Sequence, residues 1–152
     1  MPLSLDAPGT MIHKDARQGK APSTQAGEFV REEIHHVREG KHGARSTKQA
    51  IAIGLSKARR AGVKLRPPKK GAASAKTRRS AKRAYLAGQS SPRKKPSAKR
   101  SRAIKGALKR ESRGAASRRA LSSQARSAAR RRTAASRSAA ARKAAKTRSR
   151  RR

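Results

Sequence analysis

The larger apolar residues of this chain lie mostly in its first half, and there they follow a helical pattern. In residues 24–39 they recur at intervals of three and four and share one broad face: Phe29, Val30, Ile34 and Val37. This spacing predicts an amphipathic helix. Acidic residues early in the segment and a basic residue near its end suit the helix dipole, and Gly40 is a natural stop.

A second helix is predicted directly after a short basic loop at residues 40–45. Ser46 and Gln49 have the spacing of a capping box, with the serine as N-cap. The helix should run to about Ala61, because Gly62 suits the left-handed position that often follows a helix. Its predicted apolar stripe is Ile51, Leu55 and Ala58, and a small-residue edge runs beside it: Ala50, Gly54 and Ala61.

The two segments together predict an αα-hairpin near residues 24–62. Prolines and glycines without periodicity precede it, and low-complexity basic sequence follows it. The chain therefore divides into four parts: a flexible leader at 1–23, a helical hairpin module at 24–66, a basic linker at 67–96 with a candidate helix at 72–87, and an Ala/Arg/Ser/Lys-rich tail at 97–152.

Outside the hairpin, the amino-acid composition predicts little folded structure. Phe29 and Tyr85 are the only aromatic residues, and alanine supplies most of the apolar fraction. Low hydrophobicity with high net charge is typical of disorder, because too little apolar area is available to offset chain entropy. The predicted fold class is therefore mostly disordered with one small all-α module. The tail at 97–152 is expected to be a coil in dilute solution that forms long helices once phosphates relieve its charge repulsion.

Charge is divided unequally between the two ends of the chain. Residues 1–39 hold five bases and six acids, whereas residues 40–152 hold 39 bases and a single acid, Glu111. Such a block repels itself and needs a polyanion, of which nucleic acid is the commonest in cells. The 39 charges could neutralise the phosphates of about 20 base pairs.

Several function classes are disfavoured by what the sequence lacks. It has no phosphate-binding loop, zinc-protease, serine-hydrolase or cysteine-nucleophile motif, so we predict neither an enzyme nor a cofactor. The absence of cysteine excludes disulfides and thiolate metal sites. The chain shows no secretory signal and no apolar run long enough for a membrane span. We therefore expect a cytoplasmic protein of the nucleoid with no membrane partner.

Two of the histidines have a spacing that could suit a metal ion. His35, Glu39 and His42 fall at i, i+4 and i+7 and would share a face if the first helix continued. Gly40 interrupts that spacing, and a zinc site requires a fourth ligand. The prediction is therefore no metal site, with the histidines at a helix end beside a phosphate-facing loop.

Two resemblances add to these patterns. The segment from His36 to Gly43, followed by S-T-K-Q-A-I-A-I-G-L-S-K-A-R-R-A-G at residues 46–62, resembles a small bacterial family of unknown function with a KHG loop before such a helix. The resemblance covers about residues 24–66 and implies a bacterial source but no reaction. The basic tail resembles, in composition, those of linker histones and bacterial histone-like proteins. Ser91-Pro92-Arg93 is similar to the Ser-Pro-basic repeats of histone tails, which fit the minor groove.

The function predicted from these features is sequence-tolerant binding and condensation of double-stranded DNA by a histone-like protein. The alternative is an RNA-binding or ribosome-associated protein. Two aromatic residues disfavour it, because single-strand recognition depends on bases stacking on aromatic side chains. A membrane-active cationic peptide would need an apolar helix face that the tail lacks. Competition between duplex DNA and RNA separates the first two, and vesicle leakage tests the third.

The candidate nucleic-acid-binding residues are bases of the loop, the second helix, the Ser-Pro segment and the tail. They are Lys41, Arg45, Lys48, Lys57, Arg59, Arg60, Arg93, Lys94, Lys95, Lys99, Arg100, Arg118, Arg119, Arg130, Arg131, Arg132, Arg142, Lys143, Arg150, Arg151 and Arg152. A hairpin this small is marginal alone, so a homodimer through Ile34, Ile51 and Leu55 is a further prediction.

Overall fold

The computed structural model describes residues 14–15, 17–90, 95 and 97–150, and this part of the chain contains six α-helices and one 3₁₀ turn. They are α1 (Pro22–Arg38), α2 (Thr47–Arg60), α3 (Ala75–Gln89), α4 (Ala98–Lys109), the 3₁₀ turn Gly114–Ala116, α5 (Arg118–Arg130) and α6 (Ala134–Ser149). The chain divides into two compact units, Met1–Ala116 and Ser117–Arg152.

The prediction of a mostly disordered chain is wrong, because the described residues are predominantly helical; the small all-α character is confirmed. Three helices, α4 to α6, occupy the tail that was expected to be a coil. The sequence explains them through alanine, arginine and lysine, which favour helices, and through Ser or Thr at the capping positions. Ser117 accepts a hydrogen bond from the Ala120 amide, and Thr133 accepts one from the Ser136 amide.

Helix α1 begins with Pro22 at its first position, where the missing amide hydrogen costs nothing. It ends at Arg38, and Gly40 follows the capping residue Glu39 with a φ of 77°, the left-handed conformation that glycine adopts readily. The predicted apolar face is buried at three of its four positions: Phe29, Ile34 and Val37. Glu33 lies on the same face and is also buried, which the sequence analysis did not foresee.

Helix α2 is capped by Ser46, which accepts a hydrogen bond from the Gln49 amide as the capping box predicts. The reciprocal bond differs from the usual pattern, since the Gln49 side chain accepts from the Arg45 amide instead of the Ser46 amide. Beyond the helix, Val63 is buried in the main apolar cluster with Ala26, Phe29 and Ala58.

The face that α2 presents to α1 combines its small-residue edge with one end of the predicted stripe. Ala50, Gly54 and Ala58 are buried, whereas Ile51 and Leu55 are only half-buried. The reason is the closeness of the two backbones: a Cβ on Gly54 would lie 2.7 Å from the Val30 Cα. A larger residue there would push the helices apart, so the glycine sets the crossing.

Helix α3 packs on the other side of α2 through small residues as well. Ala81 and Ala84 are buried, and a Cβ on Gly88 would overlap the carbonyl oxygen of Arg59 at the end of α2. The Gln89 side chain donates to the Gly62 carbonyl just beyond α2. The first unit therefore extends the hairpin by a third helix, with α2 packed between α1 and α3.

The end of α4 and the segment that follows it are hydrogen-bonded to the loop that joins α1 and α2. The Gly43 amide donates to the Leu108 carbonyl at 2.8 Å, and the Ala44 amide donates to the Ser112 carbonyl at 3.0 Å. The last residues of this segment receive two more hydrogen bonds: from Arg38 Nε to the Ala116 carbonyl and from Thr47 Oγ1 to the Ala115 carbonyl. The hairpin is thus completed by residues far outside it.

The second unit consists of α5 and α6, and neither helix has a buried residue. Its helical structure therefore depends on local propensity and capping more than on a core. None of the helices in the described residues is long and apolar enough to cross a membrane.

Candidate nucleic-acid interface

One side of α5 carries a row of arginines and serines around an open concavity. Its lining residues recur every three, four or seven positions and so lie along one side of the helix: Arg119, Ser123, Arg126, Ser127, Arg130 and Arg131. Arg126 donates to the Ser122 hydroxyl at 2.8 Å, which holds its guanidinium close to the helix. Guanidinium groups beside hydroxyls suit phosphate oxygens, which accept hydrogen bonds from both.

The cations of α6 are distributed around the helix instead. At 3.6 residues per turn, Arg137 and Arg148 lie on one side and Lys146 lies on the opposite side. All three are exposed. This helix therefore offers positive charge in every direction, without a preferred face.

The second unit holds no counter-charge of its own. Residues 117–152 contain 14 bases and not one Asp or Glu. Its bases therefore depend on solvent ions or on an external anion for neutralisation. The only acid of the long basic block, Glu111, lies in the first unit with Oε1 3.8 Å from Arg45 Nε.

Several predicted binding residues of the first unit are exposed, but some of them pair with acidic side chains. Lys41, Arg45 and Lys48 are exposed beside the start of α2, although Lys41 pairs with Glu39 at 2.9 Å. Arg60 is exposed at the end of α2.

Two other predicted cations of α2 are engaged inside the protein. Arg59 is only 7% exposed and donates from Nε to the Leu65 carbonyl, and burial lowers the pKa of its guanidinium. Lys57 is bound to the buried carboxylate of Glu33. These two are the weakest of the predicted phosphate ligands.

The remaining predicted residues lie along the tail. Arg93, Lys94, Arg151 and Arg152 fall outside the described residues, as does Ser91-Pro92. The others are exposed: Lys95, Lys99, Arg100, Arg118, Arg119, Arg130, Arg131, Arg132, Arg142, Lys143 and Arg150. Arg132 uses its guanidinium to bond the Ser136 hydroxyl and carbonyl at the start of α6.

A polar cluster that the sequence analysis missed is centred on Glu33. Its Oε2 accepts from Lys57 Nζ, and its Oε1 lies 3.2 Å from His42 Nε2. His36 completes a group whose potential ligand atoms all lie within 4.8 Å of one another. The trio whose spacing the sequence offers and Gly40 interrupts does not come together, because His35 pairs with Glu39 at 2.9 Å while His42 faces Glu33.

Two pKa shifts accompany this region. Burial lowers the pKa of His36, and the nearby positive charge of Lys41 lowers it further. A hydrogen bond from Lys41 lowers the pKa of the exposed Glu39 carboxyl. At neutral pH His36 is therefore an uncharged imidazole with a free lone pair.

Comparison with known proteins bears on this first unit. Residues 17–70 match a protein-family model. The matched family is DUF6496, a family of unknown function. Searches of curated proteins and of solved structures found no significant match.

The DUF6496 segment contains α1, α2 and the loop between them. All members of the Glu33 cluster lie in it, whereas the arginine-lined side of α5 does not. It carries 14 of the 44 bases, so most of the positive charge lies outside the DUF6496 match.

Proposed function

We propose that this protein is a histone-like, nucleoid-associated protein of the cytoplasm that binds double-stranded DNA without sequence preference and condenses it. The observation that carries the proposal is the second unit: residues 117–152 hold 14 bases and no acid, and nine of these bases lie on two helices that bury no side chain. A surface that is merely solvated normally mixes both signs of charge. Duplex DNA supplies the missing negative charge at high density.

The dimensions of α5 suit phosphate contact. Arg119 and Arg130 are separated by three helical turns, about 17 Å at 1.5 Å per residue. A duplex of that length carries about ten phosphates. Arginines and serines in one row can contact several of them, and such contacts fix position on the duplex without reading bases.

The arrangement of α6 favours condensation over simple coating. Because Arg137 and Lys146 lie on opposite sides, the helix can contact two duplexes at once. Bridging of this kind brings DNA segments together, as does the overall charge neutralisation. The compositional resemblance of the tail to linker histones supports the same function.

RNA is the alternative partner, and one observation weighs against it. Specific single-strand binding depends on bases stacking on exposed aromatic rings. Phe29 is buried in the apolar cluster and Tyr85 is half-buried, so neither forms a stacking platform.

The decisive experiment compares the full chain with a variant ending at Ala116. That end point keeps the segment that hydrogen-bonds the α1–α2 loop, so the first unit stays complete. Each phosphate contact contributes about −0.9 to the slope of log K against log salt concentration. If only the four arginines beside the α5 concavity engage, truncation should make the slope shallower by about 3.6.

A charge-matched pair of variants locates the contact. Replacing Arg119, Arg126, Arg130 and Arg131 by Gln should weaken binding to duplex DNA more than the same change at four exposed bases of the first unit: Arg45, Lys48, Arg60 and Lys64. Equal affinity and slope in the truncated protein would contradict the proposal. Preference for single-stranded RNA over duplex DNA in competition would favour the alternative.

A further inference from the structure

The buried carboxylate of Glu33 is the most unusual side chain of the first unit. It is 0% exposed and the largest fully buried side chain besides Val37 among the described residues. Lys57 binds only one of its oxygens, Oε2. The other, Oε1, accepts no hydrogen bond from any described residue. A buried carboxylate oxygen without a partner is costly, so a cation at this point would be stabilising.

His42 presents a lone pair to the unpartnered oxygen. Its Nδ1 lies 3.0 Å from the Gly43 carbonyl oxygen, and since a carbonyl can only accept, this nitrogen carries the hydrogen. In the neutral ring Nε2 is therefore unprotonated, and it lies 3.2 Å from Glu33 Oε1. Two lone pairs so close repel each other unless a proton or a metal ion lies between them, and the titration below separates the two.

His36 brings a third donor from the same helix turn as Glu33. The two residues are separated by three positions on α1, the Glu-x-x-His spacing that places both side chains on one helix face. His36 Nε2 lies 3.5 Å from Glu32 Oε1, which leaves Nδ1 as the nitrogen for a further ligand.

Both imidazoles thus have the outer partner that metal-binding histidines usually have. A carbonyl orients His42, and a carboxylate lies beside His36. Such outer partners fix the tautomer and ring direction of a ligand. The cluster takes its negative charge from Glu33 and from Glu32 beside His36, and Lys57 offsets part of it.

We propose that Glu33 Oε1, His36 and His42 Nε2 form a binding site for one divalent transition-metal ion, with zinc the best match. Imidazole and carboxylate ligands suit zinc, whose bonds to them are about 2.0–2.1 Å. A tetrahedron with these bonds has edges of about 3.3 Å, close to the 3.2 Å between His42 Nε2 and Glu33 Oε1.

The third ligand and the solvent complete the coordination. The widest donor pair, at up to 4.8 Å, must close by about 1.5 Å, which rotation of the partly exposed His36 ring can supply. Water takes the fourth position, and the side chains of His42 and His36, 16% and 23% exposed, provide the path. Lys57 keeps Oε2 and stays outside the coordination sphere.

A metal ion bound here would link α1, the loop after it and, through Lys57, α2. Glu33 and His36 belong to α1, His42 belongs to the following loop, and Lys57 couples the same carboxylate to α2. An ion that binds the folded state alone stabilises it by mass action. The ion would therefore stabilise the first unit, and its binding is independent of the DNA-binding proposal.

The test uses the full chain without a histidine tag, stripped with a chelator and free of DNA. Calorimetric titration with Zn²⁺ should show one ion per chain and a raised thermal midpoint of the first unit. Titration with Co²⁺ should give the visible absorption bands of a four-coordinate ion. His36→Ala and His42→Ala should each weaken Zn²⁺ binding at least tenfold, while His35→Ala, an exposed residue of the same helix, should leave it unchanged.

Glu33→Gln keeps the shape of the buried side chain and removes its charge, so it should weaken Zn²⁺ binding as well. Circular dichroism confirms that each variant is folded before its affinity is compared. No binding at micromolar Zn²⁺, or binding that His36→Ala and His42→Ala leave intact, overturns the proposal. An equal loss in His35→Ala would also overturn it, because the ion would then belong to the outer surface of α1.

Discussion

The α1–α2 hairpin and the second unit are both helical, yet their helices are stabilised by different interactions. The hairpin buries apolar side chains around Phe29 and brings its backbones together at Gly54. Helices α5 and α6 bury no residue and carry serine or threonine caps and many alanines. Side-chain volume should therefore decide the stability of the first unit, whereas capping, propensity and charge should decide that of the second.

The largest effect should come from Gly43→Ala. An added Cβ would overlap the backbone carbonyl of Glu111, and a backbone cannot move aside as a flexible side chain can. We expect a loss of about 3 kcal/mol or more in the stability of the first unit. Urea unfolding followed by circular dichroism measures it. Gly27→Ala in α1 is the matched control, since nothing lies within 4 Å of its added carbon, and it should be neutral or stabilising by up to about 1 kcal/mol. Similar unfolding curves for both variants would contradict this account of the packing.

Lys57→Met should destabilise the first unit by about 3 kcal/mol, because it leaves the Glu33 carboxylate buried without its ammonium partner. Lys48→Met on the same helix should change the free energy of unfolding by less than about 0.5 kcal/mol, since Lys48 is exposed. The double change Glu33→Leu with Lys57→Met should recover part of the loss. A double variant that is no more stable than Lys57→Met would show that the carboxylate is not the cause.

Leu55→Asp tests whether the two regions act independently. Leu55 packs on the apolar cluster, so a charge there should cost about 1.5–3 kcal/mol. Duplex binding by the full chain should persist in a gel-shift assay, because every base remains. Ile104→Asp on α4 is the control, as that side chain is largely exposed. If Leu55→Asp abolishes DNA binding, the first unit contributes to it directly or through dimerisation by Ile34, Ile51 and Leu55.

The smallest effect should come from the second unit. Ser117→Ala removes the hydroxyl that accepts the Ala120 amide and should lower the stability of α5 by about 1 kcal/mol. Ser138→Ala, inside α6 and exposed, should stabilise its helix slightly because alanine is the better helix former. Amide hydrogen exchange at the start of each helix measures the two changes, and equal protection in both variants would contradict the role of the cap.

Helices α1 and α2 were predictable because their signals are local. Phe29, Ile34 and Val37 recur at helical intervals, Ser46 and Gln49 form the cap, and both terminating glycines adopt positive φ. Helices α4 to α6 were missed because charge repulsion was given more weight than alanine content and capping.

The Glu33 cluster was missed although a signal was present. Glu33 lies four residues after Phe29 and four before Val37, so it occupies the apolar face itself. Because an acidic residue early in a helix also suits the helix dipole, the presence of Glu33 did not by itself indicate a buried carboxylate. Two further features depend on contacts between residues distant in sequence, which no local pattern reveals. One is the burial of the small-residue edge in place of Ile51 and Leu55, and the other is the docking of the segment after α4.

The docking of that distant segment has a consequence for synthesis. Thr47 and Ala115 are 68 residues apart, so the α1–α2 loop cannot complete its hydrogen bonds until the chain after α4 has left the ribosome. At 5–20 residues per second the wait is about 3–14 s. The hairpin should therefore be protease-sensitive in a nascent chain exposed only to residue 100 and protected once residue 116 is exposed. Equal protection at both lengths would show that the family-matched segment folds on its own. Protection only at the greater length would show that it completes its fold as the second unit starts to leave the ribosome, so the cationic helices emerge behind a first unit that has just finished folding.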